Sequence, residues 1–261
     1  MRRTTTTHSA ARITAVAVGT AAAAVAAIAL TTTLTAAPAP ASTPHPNAVI
    51  LAHGSDRRPA QTAQDWVTYA DHLVEVSPVA EREIPPTPEE VERGEGLILR
   101  KVTLRVDKVL WSRAAPAHTA PTSFDWTAHG WQFTGDTRTK MAGEDRPRIE
   151  KGHRYVMALQ WEPARCDPDD GDTPGRWRGL GAESTIPYDN GVLGQGESQG
   201  HVQPAGNKLT APAAAPGDPE YSLRDEFTGR TAEDLARRLS ATAPGTPETF
   251  QQRALTAECA G

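Results

Sequence analysis

A histidine stands at the end of the first short apolar run beyond the N-terminal region. The run covers residues 49–52, and His53 is followed by Gly54 and Ser55. If the run is a buried strand, His53 lies at the carboxyl end of that strand, where α/β enzymes place reactive groups. A histidine in that position can hold a metal ion or transfer a proton. The alternative is an N-terminal edge strand that ends in a Gly-Ser-Asp turn.

A second candidate is the G-x-S-x-G pattern at residues 196–200, which would make Ser198 a nucleophile. The motif requires a strand, a tight turn and a helix, so that the serine is exposed beside a histidine. Turn-forming residues precede it, and residues 201–204 show no helical pattern. Ser198, His153 and Asp189 have the residue types of a catalytic triad, but their spacing does not show whether they meet.

Metal and cofactor sites have weak signals in this chain. Residues 167–172 contain four aspartates, which fit either a solvated hairpin tip or weak calcium binding, and they lack the spacing of an EF-hand. Of the eight histidines, the seven after residue 41 form no H-x-H or H-x-x-x-H pair. No glycine loop of the phosphate-binding kind follows an apolar strand. We therefore assign no catalytic, metal or cofactor-binding residue.

The segment around His53 resembles a known motif. The letters LAHGSDRRP resemble the strand-end histidine motif of the cobalt and sirohydrochlorin chelatases, and the His-Gly step resembles that of α/β-hydrolases. The first resemblance implies that His53 would hold the metal that is inserted. Both families need a parallel sheet, whereas the strands after Leu97 alternate between apolar and polar residues. A metal-dependent or hydrolytic enzyme that uses His53 or Ser198 is therefore the alternative interpretation.

The first 41 residues predict export. Three arginines precede a charge-free run over residues 13–34, which is followed by Ala-Pro-Ala steps. This is the pattern of a signal peptide, and the run is also long enough for an uncleaved membrane anchor. Without residues 1–41 the formal net charge changes from −5 to −8, because only positive charges are removed. Nucleic acid and anionic lipid are therefore not expected partners.

The chain has two cysteines, Cys166 and Cys259. In an oxidising compartment two cysteines most simply form one disulfide, which here would tie the end of the chain to the folded domain. Closing a loop of about a hundred residues would stabilise the fold by about 4 kcal/mol in the chain-entropy description.

The clearest strand covers residues 99–112. Val102, Leu104 and Val106 share one face of it, and polar residues share the other. The alternation breaks after Asp107, which indicates a β-bulge.

Other strands are also interrupted. Pro78, in the strand over residues 73–79, is typical of an edge or a bulge. The alternation over residues 124–128 breaks at Gly130, and residues 155–160 form a further strand. All six tryptophans lie between positions 66 and 177. They indicate core and rim packing or, alternatively, a ligand-stacking surface.

Short helices begin at recognisable caps. One is predicted over residues 62–69, and another begins at the capping box of residues 87–90 and ends at Gly94. Two tail helices are predicted over residues 232–242 and 248–258. Each is too short to be stable alone, so it must dock on the β-rich domain or on the other helix.

The predicted fold is mainly β: an antiparallel barrel or sandwich of about five to seven strands with a short C-terminal helical pair. The predicted organisation is a signal peptide or N-terminal membrane anchor (1–41), a spacer (42–48), a β-rich extracytoplasmic domain (49–202), a Pro/Ala linker (203–220) and a C-terminal helical segment (221–261).

Four segments together resemble an uncharacterised exported protein family of high-GC Gram-positive bacteria. They read DWVTYADHLVEVS, GEGLILRKVTLRVDKVLW, KGHRYVMALQW and IPYDNGVLGQGE. The order of the AD-x-x-V, V-x-L-x-V-x-x-V-L-W and G-x-x-Y-V-x-x-L strands is also similar to that of netrin-like and tissue-inhibitor-like small β-barrels. The first resemblance implies an extracytoplasmic location.

The sequence thus predicts an extracytoplasmic protein, secreted or anchored by its N-terminal segment, that acts as a non-catalytic binding or envelope-associated module. The expected partner is a protein or a cell-envelope ligand. Membrane contact is expected only through the N-terminal segment, if that segment is not cleaved. No cofactor is expected.

Overall fold

The computed structural model describes five stretches of the chain. These are residues 48–54, 56, 58–164, 173–202 and 221–248. The predicted signal peptide or anchor (1–41) and linker (203–220) lie outside them. So do Cys166 and Cys259, with their predicted disulfide, and the acidic segment 167–172. Within these stretches, no helix has both the length and the hydropathy needed to cross a bilayer.

The described elements are mostly strands, joined by short helices. The strands are β1 (Val49–Ala52), β2 (His72–Ile84), β3 (Glu95–Ser112), β4 (Ser123–Thr134), β5 (Thr137–Gly143), β6 (Tyr155–Glu162), β7 (Arg176–Gly179), β8 (Thr185–Pro187), β9 (Glu197–Ser198) and β10 (His201–Val202). The α-helices are α1 (Ala63–Tyr69), α2 (Pro88–Arg93), α3 (Leu223–Phe227) and α4 (Ala232–Ser240).

The main sheet has the strand order β1-β5-β4-β3-β2-β6-β7, and β8 pairs with β6. Strands β9 and β10 form a separate hairpin. Every pairing is antiparallel except that of β1 with β5, so the sheet is mixed. The mainly β fold with C-terminal helices is therefore confirmed. The hydrogen-bonded path through the described strands is open, with β1 and β7 at its ends.

The long strands contain four register shifts: one lies at Leu110, and three others are β-bulges where the sequence predicts them. Strand β3 has an extra residue at Asp107, between the partners of Glu75 and Val76. The β2–β3 register also shifts just after Pro78, and the β3–β4 register shifts opposite Gly130. Bulges increase the local twist of a sheet, and the four shifts together curl the long strands.

The curl brings β7 against β4, although three strands separate them in the sheet. Gly179 of β7 packs on the indole of Trp126, and a Cβ atom added at Gly179 would lie 3.1 Å from that ring. The face that curls inward carries one hydrophobic core, which includes alternate residues of β6 and β3. Its members are Val74, Val76, Val102, Leu104, Phe124, Ala128, Ile149, Tyr155, Met157, Leu159 and Trp177.

The opposite face of the sheet is covered by helices. Leu73 of β2 and Val156 of β6 point to this side and pack with α1, α3 and α4. The tail therefore docks on the β-rich domain, as its short helices require. Leu235 and Leu239, one turn apart on α4, are both buried. Burial of such a side chain stabilises the fold by about 1.5–3 kcal/mol.

The predicted N-terminal caps are found at the starts of α1 and α2. Thr62 and Thr87 accept hydrogen bonds from the third residue of α1 and α2, and Gly94 ends α2 with a φ of 74°. Helix α4 confirms the first predicted tail helix. Helix α3 was not predicted, because its five residues carry only one short apolar repeat. The second predicted tail helix (248–258) lies outside the described residues after Glu248.

Candidate functional site

One end of the inward face is closed by buried charge. The guanidinium of Arg100, which is 1 % exposed, donates to the carbonyl oxygens of Arg148 at 2.6 Å and Ile149 at 3.2 Å. The buried carboxylate of Glu197 accepts from the backbone N–H groups of the same two residues, at 2.9 and 3.0 Å. These contacts hold Ile149 at a φ of 65°, which β-branched residues rarely adopt.

Glu197 makes two further contacts. The hydroxyl of Tyr155 donates to one carboxylate oxygen at 2.8 Å, and the N–H of Gly200 donates to the other at 2.7 Å. Burial, and then the charge of Glu197, raises the pKa of Tyr155, so this phenol stays protonated. Each carboxylate oxygen of Glu197 already accepts two hydrogen bonds, so the role of this side chain is structural.

Ser198 does not have the surroundings of a nucleophile elbow. It lies in the two-residue strand β9, which a turn at Gln199 connects to β10, so a hairpin replaces the required helix. Two of the three candidate triad residues do meet, because His153 Nδ1 lies 2.6 Å from Asp189 Oδ2. Among the described residues, no hydrogen bond joins Ser198 to His153.

His53 follows β1 at the edge of the sheet. Its side chain is 75 % exposed and contacts the carboxylate of Glu144. The predicted strand and its edge position are confirmed. The repeated parallel units that the chelatases and α/β-hydrolases need are not found, since β1–β5 is the single parallel pairing in the described sheet. The described residues contain no group of three side chains that could hold a metal ion.

The other end of the inward face is aromatic. We call this end the aromatic mouth; it consists of His72, His118, Phe124, Trp126, Trp161 and Trp177. The ring centroids of Trp161 and Trp177 lie 5.3 Å apart in a T-shaped arrangement. The His118 ring lies 4.2 Å from Trp161, and the His72 ring lies 5.4 Å from Trp177.

The sheet itself positions four of these six side chains. Trp161 and Trp177 are direct partners in the β6–β7 pairing. Phe124 and Trp126 share one face of β4, as the sequence alternation predicts. The curl brings the second pair to the first, because the Trp126 indole packs on Gly179, two residues beyond Trp177 on β7. The sequence therefore predicts that these rings pack in the core or at the rim, but not that they converge.

Buried polar groups hold the loop that carries His118. The Asp71 carboxylate, which is buried, accepts from the N–H of Ala117 at 3.3 Å and from the N–H of Trp161 at 2.8 Å. His72 Nε2 lies 2.8 Å from the carbonyl oxygen of His118 and must donate, because a carbonyl only accepts. His72 Nδ1 lies 2.8 Å from Ser112 Oγ, which completes the contacts of this ring.

Arg113 fastens the start of the same loop. Its guanidinium donates to the carbonyl oxygens of Ala70 at 2.6 Å and Thr68 at 2.9 Å, near the end of α1. Carbonyl groups at the end of a helix lack hydrogen-bond partners within the helix, so Arg113 supplies the donors for both of these oxygens. The exposed ring of His118 is thus set against Trp161 by contacts that lie beneath it.

The tryptophans of the mouth differ from the core tryptophan in their polar atoms. Trp66 is fully buried and donates from Nε1 to the carbonyl oxygen of Ala60 at 2.8 Å. No residue in the described stretches accepts a hydrogen bond from Nε1 of Trp126, Trp161 or Trp177. Some buried side-chain polar atoms in these stretches lack a hydrogen-bond partner, but none of them belongs to these three tryptophans. The indole N–H groups of these three tryptophans therefore have no hydrogen-bond acceptor within the described stretches.

Charged groups beside the mouth are paired. Glu162, next to Trp161, accepts from Arg176 at 3.1 Å and from Arg178 at 3.2 Å. Asp71 lies 3.5 Å from Arg113. Both carboxylates that the structure describes beside the rings are therefore already in contact with cations.

Sequence reasoning missed Asp71, His72 and His118. The only available signal was that AD-x-x-V opens a strand, and an acidic residue there is usually solvated. No protein-family model, curated protein or solved structure matches this chain. A function for the aromatic mouth is therefore inferred from the contacts of its own residues.

Proposed function

We propose that this protein is an extracytoplasmic, non-catalytic binding module, secreted or held at the cell membrane by its N-terminal segment, and that its partner contacts the aromatic mouth. The observation that supports this proposal is the placement of His118. Its loop is held by Asp71 and His72, both buried, while its own ring is exposed beside Trp161.

The energetic argument is that burying polar groups is costly unless they are hydrogen-bonded. Here the buried Asp71 and His72 hydrogen-bond to the loop of His118, whereas the exposed ring of His118 is not part of the hydrophobic core. Rigid aromatic side chains at the mouth of a sheet lose little conformational entropy on binding, so they are typical of binding surfaces.

Export and the choice of partner are part of the same proposal. The arginines and the apolar run before residue 41 support export. The acidic net charge supports a protein or cell-envelope ligand rather than nucleic acid.

A metal-dependent or hydrolytic enzyme that uses His53 or Ser198 has less support. His53 is exposed with one carboxylate beside it, and Ser198 lies in a hairpin. The His153–Asp189 pair is the single observation that favours hydrolysis, since such a pair can orient a general base.

Co-sedimentation with cell envelopes tests the proposal. We expect the full chain to bind envelopes of the cells that produce it, and Trp126→Ala to weaken this binding at least about tenfold. Trp131→Ala is the matched control, because Trp131 lies on the same strand outside the mouth. Equal binding by both variants, at unchanged melting temperature, would remove the mouth from the proposal.

A further inference from the structure

We infer that the charged end of the inward face is sensitive to acid: uptake of a proton by His129 releases residues 146–150 from the sheet and opens this end. The opening is independent of the proposed binding function and takes place at the other end of the inward face from the aromatic mouth. Three features support it: the surroundings of the His129 ring, the arginines that hold the segment, and the strained backbone within the segment.

The ring of His129 lies among positive charges. Its Nδ1 atom is buried and has no hydrogen-bond partner in the described part of the chain. Burial, followed by the charges of Arg146, Arg148 and Arg100, lowers the pKa of His129. A protonated imidazole carries an N–H at both nitrogens, so Nδ1 would become a buried, charged donor without an acceptor. The closed arrangement therefore favours the neutral ring.

Nearby carboxylates do not offset this cost. Four described carboxylates lie around the segment and its arginines, those of Asp56, Glu81, Glu150 and Glu197. The first three contact Arg146, Arg100 and Arg148, respectively, and Glu197 accepts from the backbone of the segment. No hydrogen bond or ion pair joins any of the four to the His129 ring among the described residues. A proton on this ring therefore gains no opposite charge.

The same arginines hold the segment 146–150 against the sheet. Arg100 donates to the carbonyl oxygen of His129 on β4 at 2.8 Å and to that of Arg148 at 2.6 Å. Arg148 in turn donates to the carbonyl oxygen of Gly130 on β4 at 2.7 Å. Burial, and then the charge of Arg100, lowers the pKa of Arg148, so positive charge is already unfavourable here. A further positive charge on His129 would repel the side chains that join the segment to the sheet.

Ile149 gives the segment a reason to move once it is released. Its φ of 65° is rare for a β-branched residue, and such a conformation persists only where the surrounding contacts impose it. These contacts are the donation from Arg100 to its carbonyl oxygen at 3.2 Å and the acceptance of its N–H by Glu197 at 3.0 Å. When the arginine is repelled, the return of Ile149 to a common φ favours the open form.

The opening is expected as the pH falls. In the open form the His129 ring meets water and takes up a proton near its ordinary pKa of 6.5, whereas the closed form resists the proton. Proton uptake therefore accompanies opening. The closed form is fully stable above this pH and loses stability below it.

Hydrogen exchange in the purified full chain tests the inference at the amides of Arg148 and Ile149, which both donate to Glu197. Protection factors remove the intrinsic pH dependence of exchange, and we expect them to fall at least about threefold between about pH 7 and about pH 5. The amide of Trp161, held by Asp71 at the other end, should keep its protection. An equal fall at Trp161 would overturn a local opening.

His129→Gln should remove the fall at residues 148 and 149, because glutamine does not titrate. His118→Gln is the matched control, since His118 is an exposed histidine at the opposite end, and the fall should persist in it. A fall of equal size in His129→Gln and in the unmodified protein would overturn the role of His129.

Arg146→Gln covers the case in which His129→Gln fails to fold. Loss of this positive charge makes protonation of His129 easier, so the fall in protection should begin at a higher pH. NMR titration of the His129 ring follows its proton uptake directly in both proteins. A segment that stays protected after the ring is protonated would overturn the inference, and so would an opening that precedes protonation.

Discussion

Glu197 and Asp71 illustrate, at the scale of single residues, how this chain uses buried carboxylates. Each accepts hydrogen bonds from backbone N–H groups that belong to a distant part of the chain. Glu197 holds the segment 148–149 at one end of the inward face, and Asp71 holds the loop of Ala117 at the other. Such residues are hard to recognise in sequence, because most acidic residues are solvated.

Replacing Glu197 with Gln tests the role of its charge. The amide offers one acceptor oxygen and turns its NH₂ group toward backbone donors, so Glu197→Gln should lower the free energy of unfolding by about 3 kcal/mol. Urea denaturation measures this change. Glu83→Gln is the control, because its pair with Arg138 is exposed and should cost less than about 1 kcal/mol. Similar losses for both variants would contradict the structural role of Glu197.

His129 should make stability depend on pH. Burial, followed by the positive charges of Arg146, Arg148 and Arg100, lowers the pKa of His129 below its usual 6.5. The unfolded chain therefore gains a proton at a higher pH than the folded chain, so stability falls as the pH drops below about 6.5. The free energy of unfolding of His129→Gln should fall less between about pH 7 and pH 5. Parallel curves for the two proteins would rule out this contribution.

At the scale of elements, the strands and their bulges set the position of the mouth, and a loop completes it. Antiparallel pairing places the end of β6 beside the start of β7, where Trp161 and Trp177 lie, and the curl of the sheet brings Trp126 of β4 against Gly179 of β7. The loop between β3 and β4 then adds His118. Its position depends on α1 as well, through Arg113.

Asp71→Ala should loosen that loop. The N–H groups of Ala117 and Trp161 would lose their acceptor, at a cost of about 2 kcal/mol in unfolding free energy. We expect faster hydrogen exchange at both amides. Asp125→Ala is the control, because Asp125 is exposed on β4, where its surface contacts with Lys101 and Thr103 should contribute less than about 1 kcal/mol. Unchanged exchange at Ala117 would show that other contacts hold the loop.

At the scale of the whole molecule, one curled sheet carries a core on each face. The inward core lies between the charged closure and the aromatic mouth, and the outward core joins the helical tail to α1 and β6. The tail is therefore part of the fold that supports the mouth.

The predicted disulfide acts at this scale too. If Cys166 and Cys259 are bridged, reduction should lower the free energy of unfolding by about 4 kcal/mol in the chain-entropy description. Thermal unfolding with and without reductant measures the effect, and Cys259→Ser should abolish its dependence on reductant. Two thiols that react freely in the unreduced protein would show that no bridge forms.

Local sequence patterns determined the strands, the bulges and the helix caps. The alternation of Val102 and Leu104, the break at Asp107 and the cap at Thr87 each depend on residues within a few positions of one another. The same applies to the common face of Phe124 and Trp126. Side-chain alternation and local hydrogen bonding decide such features, so they can be predicted without knowledge of the rest of the chain.

Only the tertiary structure decided which distant residues meet. Glu197 and Ile149 are 48 positions apart, and Asp71 and Trp161 are 90 positions apart. Their contacts depend on strand order, on register and on how far the bulges curl the sheet. These features emerge from the packing of all strands together, so no short window of sequence contains them. For the same reason the contact of His118 with Trp161, the basis of the proposed binding surface, could not be predicted, and neither could the convergence of the tryptophans, although their packing in the core or at the rim could.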